Sequence, residues 1–548
     1  MNAEHNPQPD RESHKRLLIR LIPYIGLLIW TLPLLILNSS QQSLMAFDEV
    51  HYASRARLMI ESENWINPWL EPHHKTPGYY WLVAASFKVF GMTENAARFP
   101  NLVSGLLATF ILYEIGKLLF NNRVGFLAAL ILSTQFIWTQ YSRLSAPDIP
   151  MVLLVLLGIL SLLKAESSAQ KRSWHFLAGI SLGLGFFVRS YVSFLPIIAL
   201  LPYLVLNNRR HRHLNDWALY LGVLFGFSPT VLWLLLEWTQ YQVLSFQRLF
   251  DFTVSLTTKD RHGGGWHYYL WNVPLNAFPW SLFALAGMGL VWQKTTFRYR
   301  MLCLGYPLLL LLQISVVGTR TPRYSLGLYP FLALHAGVSL EWLRQRYFQK
   351  EASGKRVIQG LSYGFSGLGI ILIGLSFMRS PIVAAIPDAE EYLSDRVMYA
   401  VFLLGLAWLG AAVIFHFRKD WSGAQYWLAT LLMGPWLFLA LFSSSGLLSN
   451  YNAEIKSFVE REDVTQILQN NSVHFIWVDK EFANKRLLNF YTPHIGQYYD
   501  DFQQFDQSGY VWAKVEPENS ALIEQCQAIG DVRGWKLVYV VDTCNQPR

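Results

Sequence analysis

The stretch "FDEVHYASRARLM", just past the first long apolar run, packs Asp48, Glu49, His51, Tyr52, Arg55 and Arg57 into a few residues. The pattern recurs downstream. "EPHHKTPGYYW" carries His74 and Lys75, "YSRLSAPD" carries Arg143 and Asp148, "VRSY" carries Arg189, "TKDRHGGGWHYY" carries His262, and "RTPRY" carries Arg323 and Tyr324. Ionisable groups beside lipid are costly, so a set like this calls for a function. Transfer of a group from a lipid-phosphate donor needs these side chains: cations hold the phosphate leaving group, a carboxylate accepts the proton of the attacking hydroxyl, and apolar helices hold the lipid chain. A phosphate whose charge is neutralised leaves without a dedicated acid. Arg suits that task by bidentate geometry and Lys as a point charge.

Each residue also has a plainer structural reading. Asp48 precedes a periodic stretch and could cap its helix. Lys75 could lie along the membrane interface, Asp148 sits between Pro147 and Pro150 in a turn, and Arg189 ends an apolar run. Gly263 to Gly265 form a loop without a preceding strand, so they are no phosphate cradle. The 21 Trp and 27 Tyr residues are mostly interfacial belts.

The elements that must position these groups are transmembrane helices. Of 548 residues, 52% are hydrophobic and 15% charged, mean hydropathy is +0.23, and the apolar residues come in blocks of about 20 rather than in ten-residue alternation. The reading is an all-α polytopic membrane protein with about thirteen spans, the first an uncleaved helix. "NNR", "NNRRHRH", "QKTTFRYR", "RQRYFQKEASGKR" and "HFRKD" fall on one side if Tyr79–Phe90 does not cross, which makes that segment an interfacial or re-entrant helix. The same parity gathers the chemical residues on the opposite face. The net charge of +8 lies in these short loops, with no basic face of interleaved aromatics, which argues against nucleic acid. Helical spacing places Asp48, His51 and Arg55 on one face of a helix lying in the interface.

After residue 444 the composition turns polar. Strand-like "VHFIWV", "GYVWAKV" and "WKLVYVV" alternate with helix-like "DVTQILQ", "ANKRLLNFY" and "NSALIEQCQAI", so residues 445–548 read as a small extracytoplasmic α/β domain following a membrane domain over 1–444. Cys526 and Cys544 could form a bridge in an oxidising compartment, whereas Cys303 reads as a core filler.

In this order, "FDEVHYASRARLM", "HKTPGYYWL", "AARFPNLVSG", "YSRLSAPDIPM", "RHGGGWHYYLWNVP" and "TPRYSLGLYPFLAL" resemble the aminoarabinose transferase and protein O-mannosyltransferase-like families of GT-C membrane glycosyltransferases, over most of the chain. The resemblance implies a GT-C fold with interfacial helices in the first outer loop, and a monomer of the bacterial inner membrane with a periplasmic site. It further implies an inverting transfer from a polyprenyl (undecaprenyl) phosphate sugar to a lipid A-like or other envelope lipid or glycan. By it Asp48 is the base or acceptor-positioning carboxylate, Lys75 contacts the donor phosphate, Asp148 matches an acidic residue after the third span, and Tyr324 lies near the phosphate. Asp148 is taken with Asp48 as a candidate catalytic carboxylate, and Tyr52, Arg57, Arg189, His262 and Arg323 with Lys75 and Tyr324 as candidate substrate contacts. His262 matches a histidine associated with a metal in some members, and His74 stands where an acid is common. A Zn or Mg site at His74 and His262 and a metal-free enzyme both remain open, since two histidines do not complete a zinc sphere. His51 replaces a common Arg and Thr76 a common Pro, which weakens any claim to one branch's substrates. The rival readings are a protein O-mannosyltransferase acting on Ser/Thr and, further off, a transporter, which would place its ionisable groups near the midplane.

Overall fold

The computed structural model describes residues 8–39, 41–46, 48–69, 73–242, 245–258, 264–294, 297–347, 352–390, 392–418, 421–476, 482–500, 502–516 and 520–541. His262 and Cys544 lie outside them, so the expectations placed on those two residues do too.

The apolar blocks form helices because a backbone in hydrocarbon must satisfy its own hydrogen bonds. The first nine are α1 (Gln8–Ile36), α2 (Glu49–Glu61), α3 (Gly78–Phe90), α4 (Glu94–Leu119), α5 (Asn122–Leu132), α6 (Phe136–Arg143), α7 (Asp148–Ala165), α8 (Lys171–Arg189) and α9 (Phe194–Leu206). Among the described residues nine stretches are long and apolar enough to cross a membrane, or eleven when the bent pairs α5–α6 and Tyr268–Asn276 with Trp280–Gln293 each count as a span. One of the nine, Lys171–Leu206, is two passes. α8 and α9 reverse at Ser190, where φ is +54°, and His175 near the start of α8 bonds at 2.8 Å to His213, beyond the end of α9. Tyr329–Arg346 is less apolar because the bundle buries most of it, yet it runs from the Arg323 end to the opposite end. With these two additions the path makes the thirteen passes expected from the sequence.

α3 is not among them. Thirteen residues reach only about 20 Å, short of the ~30 Å hydrocarbon core. Its start binds Asn101 and Ser145 through Tyr79, and its far end meets Phe490 of the C-terminal region through Phe87. It therefore stays at one end of the bundle with α2, as an interfacial helix.

The basic loops collect at the other end. Glu166, after α7, takes Arg210, Arg298, Tyr203 and Tyr299 as partners, and Glu341 takes Arg344 and, at 3.9 Å, Arg123. Carboxylates at helix ends thus tie together the loops whose charges set the parity.

Close helix approach depends on small residues. On α8, Gly179 and Gly183 face Gly222 and Gly226 of the helix Trp217–Tyr241; a Cβ on Gly179 would lie 2.2 Å from the Leu219 carbonyl and one on Gly222 2.2 Å from that of Phe176. Such small-residue contacts bring backbones together where lipid supplies no hydrophobic drive.

The C-terminal region forms a five-stranded sheet of order β2-β1-β3-β5-β4, with β1 (Val473–Ile476), β2 (Ile495–Tyr499), β3 (Gly509–Lys514), β4 (Gln527–Val532) and β5 (Trp535–Val540). β1 pairs in parallel with β2 and β3, and β5 runs antiparallel between β3 and β4. Three of these strands were read from the sequence. β2 was missed because none of its residues is fully buried and its exposure does not alternate, so it carries no period-2 pattern. β4 was taken for the end of a helix: that helix stops at Gln525, and Gln527–Val532 pairs with β5 instead. Cys526 is buried beneath this sheet, and Cys303 is buried in the bundle. Phe475, Trp512 and Trp535 belong to the same buried cluster as Val50, Ala53, Tyr79 and Val83, so the sheet shares a core with α2 and α3.

Candidate active site

α2 presents one face to the bundle. Asp48, at its start, makes no capping bond. Its Oδ2 lies 2.6 Å from Nη1 of Arg323, which arrives on the 3-10 turn Pro322–Leu328 more than 270 residues later. Tyr52, one turn along α2, is the hub. Its hydroxyl accepts from Nζ of Lys75 at 3.2 Å and from Nη1 of Arg189 at 3.2 Å, and the Lys75 ammonium also sits 4.5 Å above its ring. Nη2 of Arg189 reaches Oδ1 of Asp148 at 2.9 Å. Arg323 lies over the ring of Tyr324 at 5.8 Å. Residues from five separate parts of the chain therefore converge around one tyrosine.

Close packing makes the convergence possible. A Cβ on Gly78 would stand 2.5 Å from the Phe187 carbonyl, so the start of α3 lies directly on the end of α8. This brings Lys75, three residues before Gly78, beside Arg189, two after Phe187.

The two carboxylates differ in access. The Asp48 side chain is 34% exposed, that of Asp148 only 2%. Burial pushes the Asp48 carboxyl up, but Arg323 at contact, with Lys75 and Arg189 behind it, outweighs burial and holds it below the usual carboxylate range. Lys75 goes the other way. Burial, then the like charges of Arg189 and Arg323, bring it down to about 7 despite Asp48 and Asp148.

Arg57 does not join the site. Nine residues at 100° each put it half a turn round α2 from Asp48, where it donates to the carbonyls of Asn489, Thr492 and Pro493 at 2.7–2.8 Å and to Glu61 at 2.5 Å. The substrate contact expected of it is replaced by a clamp on the C-terminal sheet region. Arg143 is a second clamp, on the Leu34 and Leu37 carbonyls that end α1.

The site also depends on Arg98, which the sequence reading passed over. Glu49 and Arg98 form a sealed ion pair, both under 3% exposed, at 2.8 Å. Arg98 also binds the carbonyls of Ser39, Gln42, Ser43 and Ser449, and Glu49 accepts from the amides of Met45 and Ser145. This pair sets the loop that launches α2. A lone Arg inside an apolar span, as in "AARFPNLVSG", was the available signal.

Among the described residues no group of three His, Cys, Asp or Glu includes His74, and His262, its expected partner, lies outside them. After burial, the strongest influences on His74 are the cations Lys75, Arg55, Arg248 and Arg486, and together they bring it down to about 4.

Two apolar recesses lie on opposite sides of α7, one lined in part by the polar cluster and the other ending at residues next to it. One starts at Asp148, Arg323 and Tyr324 and continues past Val155, Leu195 and Leu310. The other, about 740 Å³, opens sideways between α3, α4, α7 and α8 along Trp81, Phe99, Leu153 and Leu184, and ends at Gly78, Pro150 and Val188.

Residues 74–233 match the dolichyl-phosphate-mannose-protein mannosyltransferase family. The chain is 25% identical over 418 residues to an undecaprenyl phosphate-alpha-4-amino-4-deoxy-L-arabinose arabinosyl transferase of Yersinia enterocolitica, covering 72% of this chain and 71% of that relative. It is 25% identical over 449 residues to the corresponding transferase 2 of Pseudomonas fluorescens, covering 79% and 76%. The crystal structure of ArnT from Cupriavidus metallidurans bound to undecaprenyl phosphate aligns with a TM-score of 0.74 at 17% identity, over 97% of this chain and 99% of that one. The chain has the fold of the GT-C membrane glycosyltransferases. The fold extends more distantly to an oligosaccharyltransferase of Archaeoglobus fulgidus, with a TM-score of 0.51 at 13% identity over 87% of this chain and 64% of that one. The polar cluster lies at the end of the bundle away from the basic loops.

Proposed function

We propose that the enzyme takes a sugar from a polyprenyl phosphate, undecaprenyl phosphate in a bacterial inner membrane, and transfers it to a lipid A-like or other envelope lipid or glycan on the periplasmic face. The observation that carries this reading is the convergence of Lys75, Arg189 and Arg323 around Tyr52, close to the large apolar recess that ends at Gly78 and Val188. Three cations around one buried hydroxyl suit a phosphate, and a recess of about 740 Å³ suits a lipid chain. The basic loops at the far end give the orientation, since Lys and Arg favour cytoplasmic loops.

The chemistry follows from the placement. An acceptor oxygen attacks the anomeric carbon as the bond from that carbon to the phosphate oxygen breaks, with inversion. The electron pair leaves on the phosphate, where Lys75, Arg189 and Arg323 stabilise it. Asp48, open to the chamber, orients the acceptor hydroxyl and takes its proton. Because Arg323 keeps Asp48 a weak base, that transfer comes late, once bond formation has made the hydroxyl acidic. Asp148, largely buried beside Arg189, holds the guanidinium in place.

A second reading, transfer to a Ser or Thr side chain, draws on the mannosyltransferase family match. The laterally open apolar recess favours a lipid acceptor instead. Incubating the purified protein with undecaprenyl-phosphate sugars and with lipid and peptide acceptors, then reading products by mass spectrometry, separates the two. Glycosylated peptide without glycosylated lipid would reverse the preference, and no product with any donor would reject the reading.

A further inference from the structure

A hydrogen-bonded line runs from the C-terminal region toward the site. Arg486, on the helix Phe482–Tyr491, directs Nη1 at Nδ1 of His51 at 2.9 Å. Nε2 of His51 lies 3.1 Å from the Tyr80 hydroxyl, and that hydroxyl lies 2.9 Å from Nε2 of His73. All three rings are more than nine-tenths buried.

A guanidinium has no acceptor, so the line has one direction. His51 must accept at Nδ1 and carry its proton on Nε2, which donates to Tyr80. The Tyr80 proton then goes to Nε2 of His73. Arg486 thereby decides the tautomer of two imidazoles that it and Tyr80 hold in fixed orientation. His73 is held on two other sides, its ring 4.3 Å from Trp69 and its amide donating to Ser245 at 2.9 Å. Two residues later Lys75 reaches Tyr52, which follows His51 on α2.

We propose that Arg486 is a positioning residue for the transfer site: through His51, Tyr80 and His73 it orders the segment that presents Lys75, so that the C-terminal domain completes the donor-phosphate site. The inference rests on Lys75 contacting that phosphate. Docking of the domain does not require this contact, because Arg57 and the shared core of α2, α3 and the sheet already hold it.

The test uses the full chain in nanodiscs, undecaprenyl phosphate as the probe, and the unfolding midpoint of each sample. Arg486→Gln is expected to weaken binding about tenfold, on the scale of one lost charge-assisted hydrogen bond, with the midpoint unchanged. Arg486→Lys, which still donates, recovers most of the loss. In a Tyr80→Phe background, where the line is already cut, Arg486→Gln adds nothing further. Undiminished binding by Arg486→Gln, or a loss that adds in full to that of Tyr80→Phe, overturns the inference. Lys75→Ala separates the two levels: weaker binding there with none lost in Arg486→Gln overturns the positioning role alone, whereas no loss in either overturns the donor-phosphate reading beneath it.

Discussion

Asp48 and Lys75 answer to the same cations with opposite results. Arg323 at 2.6 Å keeps Asp48 ionised, while Arg189 and Arg323, added to burial, bring Lys75 down to about 7. Asp48→Asn keeps the size and loses the base, so the turnover number in proteoliposomes is expected to fall by about 10²–10⁴-fold with donor affinity nearly unchanged; retained turnover would reject the assignment. The Lys75 amine gives up its proton near neutrality when no anion is present, and a bound phosphate restores it. Affinity for undecaprenyl phosphate is therefore expected to fall as pH rises above about 7, by at most about tenfold per unit. Lys75→Ala is expected to remove that slope, and an unchanged pH profile in the variant would place the titrating group elsewhere. At this scale the sequence marked Asp48, Lys75, Arg189 and Arg323, because ionisable groups beside lipid are costly. It named Glu49 without its partner and was silent on Arg98 and Arg486, because the contacts of all three lie tens to hundreds of residues away.

Among the elements, α2 shows how one helix serves two tasks. Its Asp48–Tyr52 face builds the site and its Arg57 face binds three carbonyls of the C-terminal region. Arg57→Ala leaves those buried carbonyls without their donor and is expected to cost about 3 kcal/mol of stability, seen as a lower unfolding midpoint, with turnover retained in the folded fraction. A loss of turnover without loss of stability would return Arg57 to the site. The wheel angle that separates Arg57 from Asp48 was readable from the sequence. Composition alone groups every Arg near the lip, and only periodicity tells the faces apart. α3 and α8 make a similar point through Gly78. Adding one methyl there forces the Phe187 backbone away, so Gly78→Ala is expected to part Lys75 from Arg189 and weaken donor affinity, measured as a raised KM with the protein still inserted. An unaltered KM would show that the contact has slack.

At the scale of the whole molecule, the C-terminal sheet shares its core with the interfacial helices and is no detachable appendage. Truncation before Ala453 is expected to unsettle α2 and α3 and abolish transfer, and an active truncated enzyme would overturn that coupling. The sequence by itself determined the bundle and its parity, because span length and loop charge answer to the bilayer, a solvent known in advance. It also determined which residues could carry the chemistry, because their cost beside lipid is local. Tertiary structure decided what those residues face: that Arg323 meets Asp48, that Arg189 and Lys75 share Tyr52, that Arg57 turns away, and that Arg486 reaches His51. Those pairings depend on how closely helices approach and rotate against one another, and the packing that sets approach and rotation joins segments far apart in the chain.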